Sequence, residues 1–439
     1  MQLLGKIKDV MSIAVPIMVS NLTLLICILI NTRVLGNYNK IYFYYLALAM
    51  PINYILLAIY EALRTCSLGI CQATKLRNYQ FILQIKRMMF VGVAIIAVLI
   101  LFYILAEKLL ASIGYIHSSE FYWFIVTMLV SAMCVANSLI VGAALYAFGK
   151  QKVATIITVS ASIIVCLLNY IFLYATNLGI FSINVAVALV YLGATLVGLQ
   201  FLKGFLLEDS SLETKAQPFL TIWRFLYSIG TPIFSLYIVI FTSLFIYNTV
   251  LQHFGDGVVS AFSVVFRLQN VLMIPAIACG IAVGIVMNRS AMEGDLARAI
   301  SYLRSTFFCM LSVYLILAIL SYIFAKEIIG LLILDLKIKA AAIQCLHYFA
   351  FSYVGLAPTL MFISVLEQTG YNKRSLFINS LLFALQIIVG GCLALKFGSQ
   401  VYFYATALMV NLLPLGYLVY AIFFDSKYQD QPSRLFLLV

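Results

Sequence analysis

Charge is what this chain has least of. Only 10% of its 439 residues are Asp, Glu, Lys or Arg, against roughly a quarter in soluble domains. There is too little polar surface to coat a globule of this length, which excludes a soluble enzyme, a nucleic-acid-binding module and a disordered protein. Acidic residues are the scarcer of the two charged classes, 15 against 27 basic ones, giving a net charge of +12. In a polar chain that balance would suggest nucleic acid. In an apolar one, basic residues gather in cytoplasmic loops under the positive-inside rule. Histidine is also rare, with three copies, and the nine cysteines form no CxxC pair and no Cys/His cluster, which excludes a zinc site or disulfide framework. Cys27, Cys66, Cys71, Cys134, Cys166, Cys279, Cys309, Cys345 and Cys392 all fall in apolar runs and read as small buried hydrophobes. HExxH, GxSxG and paired-carboxylate patterns are missing, so a membrane enzyme would lack its catalytic cluster. No metal and no cofactor is implied, and strand-like alternation, the mark of a membrane barrel, is absent.

What is present is hydrophobicity: 64% of residues, with a mean hydropathy of +1.09. A helix needs about 20 apolar residues to cross the hydrocarbon core. Breaks at charges, Gly, Asn and Pro leave twelve segments: 10–35, 41–71, 88–106, 121–147, 153–176, 179–202, 220–252, 258–287, 302–325, 341–369, 376–395 and 400–424. The expected fold is therefore all-α, a polytopic membrane protein of twelve transmembrane helices. A short basic stretch, Lys6 and Lys8, precedes a first segment too long for a signal-peptide core, so that segment reads as a retained span. An even span number puts both termini on one side. Roughly two-thirds of the 27 basic residues fall in the termini and loops of that side, which the positive-inside rule makes the cytoplasm. The expected location is the plasma (inner) membrane. Tyr38, Tyr42, Tyr44 and Tyr45 cluster at one outer edge, as an aromatic belt would.

One stretch is polar enough to be a linker, EDSSLETKAQP at 208–218. It separates an N-terminal six-helix lobe, 1–207, from a C-terminal one, 219–439. The halves look duplicated: Pro16 matches Pro232, Pro51 matches Pro275 and Gly149 matches Gly370, each about 220 residues apart, a parallel repeat of the kind transport proteins use.

Ionisable groups inside spans are costly and are functional candidates by default. The first half offers Arg33, Glu61 and Arg64. Glu61 and Arg64, at i and i+3, can pair along one helical face, either as a structural ion bridge or as a carboxylate that exchanges its arginine for a proton. Arg33 stands near a span end, where it can snorkel. The second half offers Arg267, with Gln269 and Asn270 beside it; Glu367 and His347 read as interfacial. Asn21, Asn31, Asn53, Gln72, Asn137, Asn169, Asn248 and Asn288 recur in the spans, mostly as helix–helix hydrogen bonders. Prolines 16, 51, 232, 275, 358 and 414 can bend the helices that hold them.

These segments resemble the multidrug and toxic compound extrusion (MATE) transporters of the multidrug/oligosaccharidyl-lipid/polysaccharide exporter superfamily. IAVPIMVSNLTLLICILINTRVLG (Ile13 to Gly36) is similar to their first span, and Ile229 to Pro275 to their seventh and eighth. The turns MNRSAMEGDLARA and VLEQTGYNKRS and the corner LLNYIFLYATNLGIF (Leu167 to Phe181) match in order and spacing. The resemblance implies two six-helix lobes around a cavity open to one side at a time, and a monomer that exports small organic solutes against protons or sodium. Many members carry a cation-binding aspartate where this chain has Asn31. The span-seven glutamate of one branch also has no counterpart, Glu213 in the linker being the only acidic residue between 210 and 255. Two expectations follow: Glu61 serves as the proton-coupling group, or Arg33, Arg64 and Arg267 favour an anionic solute. Asn31, Arg33, Glu61, Arg64, Asn169 and Arg267 are the substrate- or ion-binding candidates. A flippase for a lipid-linked saccharide or peptidoglycan precursor is the alternative within the superfamily.

Overall fold

The computed structural model describes residues 2–73, 79–112, 119–207, 220–332 and 336–423. Those residues are almost wholly helical and include no strand. The first half comprises α1 (Gln2–Tyr38), α2 (Lys40–Leu48), α3 (Met50–Ala73), α4 (Tyr79–Ser112), α5 (Ser119–Ala147), α6 (Gln151–Ala175) and α7 (Phe181–Leu207). The second comprises α8 (Leu220–Phe225), α9 (Thr231–Gln252), α10 (Asp256–Met292), α11 (Leu296–Ile323), α12 (Ala325–Leu332), α13 (Leu336–Gln368), α14 (Asn372–Leu385), α15 (Cys392–Phe397) and α16 (Gln400–Phe423). Among the described residues, eleven helical stretches are long and apolar enough to cross a membrane. The twelfth expected segment is α16, 24 residues long. Phe90, Phe102, Leu331 and other large apolar side chains stand exposed, as lipid-facing positions do.

Where spans depart from straight helices, proline or glycine is nearby. The second expected segment bends at Ala49, between α2 and α3, because Pro51 offers no N–H and disfavours helical geometry just before it. The bonds Ala49 N–H to Tyr45 carbonyl and Asn53 N–H to Ala49 carbonyl, both 3.0 Å, continue past the bend. The seventh carries a π-turn at Leu226–Gly230 ahead of Pro232, and the eleventh another at Gln386–Gly391. The tyrosine belt is only partly outward: Tyr38 is exposed, but Tyr42 and Tyr45 are buried. The Tyr42 hydroxyl faces Gly179, whose φ of +55° and lack of a Cβ allow the approach.

Gly149 and Gly370, paired by sequence, adopt one geometry. Each ends a helix with positive φ, 75° and 87°. The next residue then closes back on the helix, Lys150 N–H to Leu145 carbonyl at 2.9 Å and Tyr371 N–H to Leu366 carbonyl at 2.8 Å. This is the Schellman turn, which glycine permits and a β-carbon penalises.

Packing groups the described residues into two compact units, one within 19–234, the other within 1–18 and 235–439. The expected linker, 208–218, lies outside the described residues. The division falls just past Pro16 in α1 and just past Pro232 in α9, the two prolines that sequence paired. Local contacts account for both memberships. Within the second unit, the Tyr302 hydroxyl of α11 donates to Asp9 Oδ2 of α1 at 2.9 Å. Within the first, the Cys66 thiol of α3 donates to the Phe225 carbonyl at 3.6 Å, and Gly69 makes room for Ile229.

The first unit packs α3, α4, α6 and α7 about α5, with Phe124, Ile125, Leu129 and Ile140 fully enclosed. The second is built around α13, flanked by α10, α11 and α16, with Tyr353, Tyr404, Phe307 and Phe403 in its core. Glycines set the spacing there. Gly280 and Gly284 of α10 meet Met361 and Gln368 of α13, and Gly355 of α13 meets the backbone of Asn411 in α16. All nine cysteines are free. Cys27, Cys66, Cys279 and Cys345 are buried as expected, whereas Cys392 is exposed, where lipid tolerates a thiol.

Candidate functional site

Polar groups inside the spans fall into three places. The first joins α1, α6 and α7 within the 19–234 unit. Asn169 Nδ2 donates to Asn31 Oδ1 at 2.9 Å, and the Ser182 hydroxyl donates to Asn169 Oδ1 at 2.8 Å. All three side chains are buried, Asn169 and Ser182 completely. Asn31, at the position where the resemblance places a cation-binding aspartate, is thus a neutral acceptor committed to another amide. Nothing in this triad supplies the negative charge a cation needs. Its evident role is to tie three helices together. Substituting Asn169 by Leu would strand the Asn31 acceptor and the Ser182 donor, so we expect a loss of about 1–3 kcal/mol, read as a lower melting temperature in detergent.

The second place is one face of α3. Arg64 Nε donates to Glu61 Oε2 at 2.9 Å, and a second guanidinium nitrogen meets the same oxygen. The side chains are 21% and 23% exposed for Glu61 and Arg64. Both arginine contacts fall on Oε2, while Oε1 has no partner among the described residues. This leaves an acidic group midway along the Met50–Cys71 span with one carboxylate oxygen engaged by its arginine.

The third is α10 in the other unit, whose span 257–290 has a mean hydropathy of 2.2. Arg267 and Asn270 are exposed and Ser260 and Ser263 half-buried. Their spacing of three, four and three residues aligns them on one helical face. Gln269, adjacent in sequence, turns inward and is buried, its Oε1 unpartnered. Sequence thus grouped Arg267 with two amides, of which the helix keeps only Asn270 beside it. Arg33 separates from Asn31 in the same way. Two residues correspond to about 200° around a helix, which buries Asn31 and exposes Arg33.

The remaining span amides divide. Asn288 donates to the Gln368 carbonyl at 3.0 Å, a helix–helix bond as expected. Asn21, Asn53 and Asn248 are exposed instead, and the side chain of Gln72 lies outside the described residues. Glu367 accepts from the Ser375 hydroxyl across the turn into α14, and His347 packs against Tyr322 with ring centroids 4.5 Å apart and the rings tilted by 39°. Sequence reading missed Ser182, Ser260, Ser263 and Asp9. The two α10 serines were legible from their helical spacing to Arg267. Ser182 and Asp9 were not, since their partners lie on distant helices.

Span number and fold define a multi-pass α-helical membrane protein. More narrowly, residues 232–391 match the MatE family, within a chain that has the MATE fold throughout. A Vibrio cholerae MATE transporter, VcmN, solved in its bent form, is similar at a TM-score of 0.84 and 17% identity over 99% of each chain. A MOP superfamily transporter from Pyrococcus furiosus, described by a binding pocket of reverse polarity, gives 0.81 and 15% over 92% of each. No curated protein sequence matches significantly.

Proposed function

We propose that this chain is a secondary exporter that moves an organic solute out of the cytoplasm by alternating access, coupled to inward proton flow. It acts as a monomer in the plasma membrane, with both termini cytoplasmic. The MatE-family sequence at 232–391 in a chain of MATE fold supports transport. The coupling assignment rests on one observation: among the described residues, Glu61 is the acidic side chain at mid-span, held by an arginine on its own helix. A proton and Arg64 compete for that carboxylate, so loading and release can be tied to breaking and remaking one ion pair. Asn31, having no charge to lose, cannot take this part. Export requires energy from outside the solute's own gradient, and a titrating group within the span is the minimal device for supplying it.

Purified protein in proteoliposomes tests the reading directly, with proton or sodium gradients imposed across cationic, neutral and anionic solutes. At least one solute should accumulate against its gradient when a proton gradient is present and equilibrate when an ionophore collapses it. Accumulation driven by sodium alone would reassign the coupling. Purely passive equilibration under every gradient would make the chain a channel.

A further inference from the structure

Ser260, Ser263, Arg267 and Asn270 form a polar stripe about 15 Å long on one face of α10. Among the described residues none of the four has a side-chain hydrogen-bond or ion-pair partner. Hydrocarbon would penalise each of these groups, and an arginine most of all. The opposite face, with Ala261, Phe262, Val265 and Met273, is buried in the unit's core. The stripe is therefore left over from packing, and its chemistry is that of a surface that meets water and solute.

The charges elsewhere fix its sign. Glu61 is neutralised by Arg64, and Asn31 is an amide in a closed triad. Asp9 accepts from Tyr302. The other described acidic residues of the helices, Glu107, Glu120, Asp256, Glu327 and Glu367, stand near helix ends. Among the described residues a cationic solute would find no free carboxylate at mid-span, whereas an anion would find the exposed guanidinium of Arg267.

We propose that this stripe is an oxyanion subsite: Arg267 takes a carboxylate, sulfonate or phosphate through two parallel N–H donors, with Asn270 and Ser263 donating one turn to either side. The transported solute then carries an acidic group. This rests on the exporter reading for its transport role, but binding can be measured without transport. The same chemistry belongs to a free organic acid and to a lipid phosphate headgroup.

The test uses the purified full chain in detergent and 5-carboxyfluorescein as probe, read by fluorescence anisotropy, with ethidium as a cation of similar size. Carboxyfluorescein should bind and ethidium should not. Arg267→Gln should weaken binding roughly 10-fold or more, and Arg267→Lys should restore part of it. Unchanged melting temperatures would show that the exposed substitutions leave the fold intact. Competition by benzoate assigns the anion to a soluble acid, and competition by dihexanoyl phosphatidic acid alone to a lipid headgroup. Either supports the subsite, and competition by neither overturns it. Ethidium efflux driven by a proton gradient and unaffected by Arg267→Gln, with no carboxyfluorescein binding, would overturn the subsite and leave the exporter reading standing. Binding lost in Arg267→Gln, with no gradient-driven movement of any solute, would uphold the subsite and overturn the exporter.

Discussion

A Gly355→Leu protein should fail to accumulate in folded form. A β-carbon on Gly355 would run into the carbonyl of Asn411 and lie 2.8 Å from Leu412 Cα, both backbone atoms of α16. No rotamer relieves a clash with backbone, so α16 must move away from α13, the helix about which the second unit is organised. Overpacking ordinarily costs about 1–3 kcal/mol. Even Gly355→Ala should reach that range, and the leucine variant should exceed it. Gly280→Ala, aimed at the Met361 carbonyl, should behave like Gly355→Ala. Gly142→Ala and Gly193→Ala, with nothing within 4 Å of the added carbon, should change stability by about 0.5 kcal/mol or less. Size-exclusion profiles and detergent melting curves of the four alanine variants check the contrast. Equal melting temperatures for all of them would refute the close α13–α16 approach.

Glu61→Gln should abolish proton-driven accumulation while leaving downhill exchange of the same solute intact. Glutamine keeps the length of the side chain and an acceptor for Arg64, so the helix face is preserved, but it cannot carry the proton. Arg64→Gln acts differently, leaving a half-buried carboxylate without its cation. The pair is about a fifth exposed, between the surface and buried limits, so that loss should cost about 1–2 kcal/mol of stability. The double variant should recover most of the stability and none of the coupling, a non-additivity expected of directly contacting residues. Normal proton-driven accumulation by Glu61→Gln would remove the coupling assignment and leave Glu61–Arg64 as a structural bridge. That outcome would separate two readings which sequence left open.

Several of these residues were visible before any fold was known, and others were not. The i, i+3 spacing of Glu61 and Arg64 specifies their meeting, because helix geometry alone brings such residues together. The turn at Gly149 and its copy at Gly370 were likewise legible, since a glycine between two apolar runs marks a helix end. By contrast, adjacency misled at Arg267 and Gln269. Neighbours in sequence point to different sides of a helix, and only the pattern of burial says which side is which.

By itself, the sequence determined that the chain crosses a membrane, roughly where it does so, and that proline and glycine landmarks recur about 220 residues apart. Those properties are local: each depends on how apolar a run of about 20 residues is and on where charge, proline and glycine interrupt it. Tertiary structure alone decided that Asn31 is tied to Asn169 and Ser182, that Gly355 sits against another backbone, and that the compact units divide beyond Pro16 and Pro232. Hydrogen bonds and van der Waals contacts act over a few ångströms in space, with no regard for separation along the chain, and a single sequence does not record which distant helices they join.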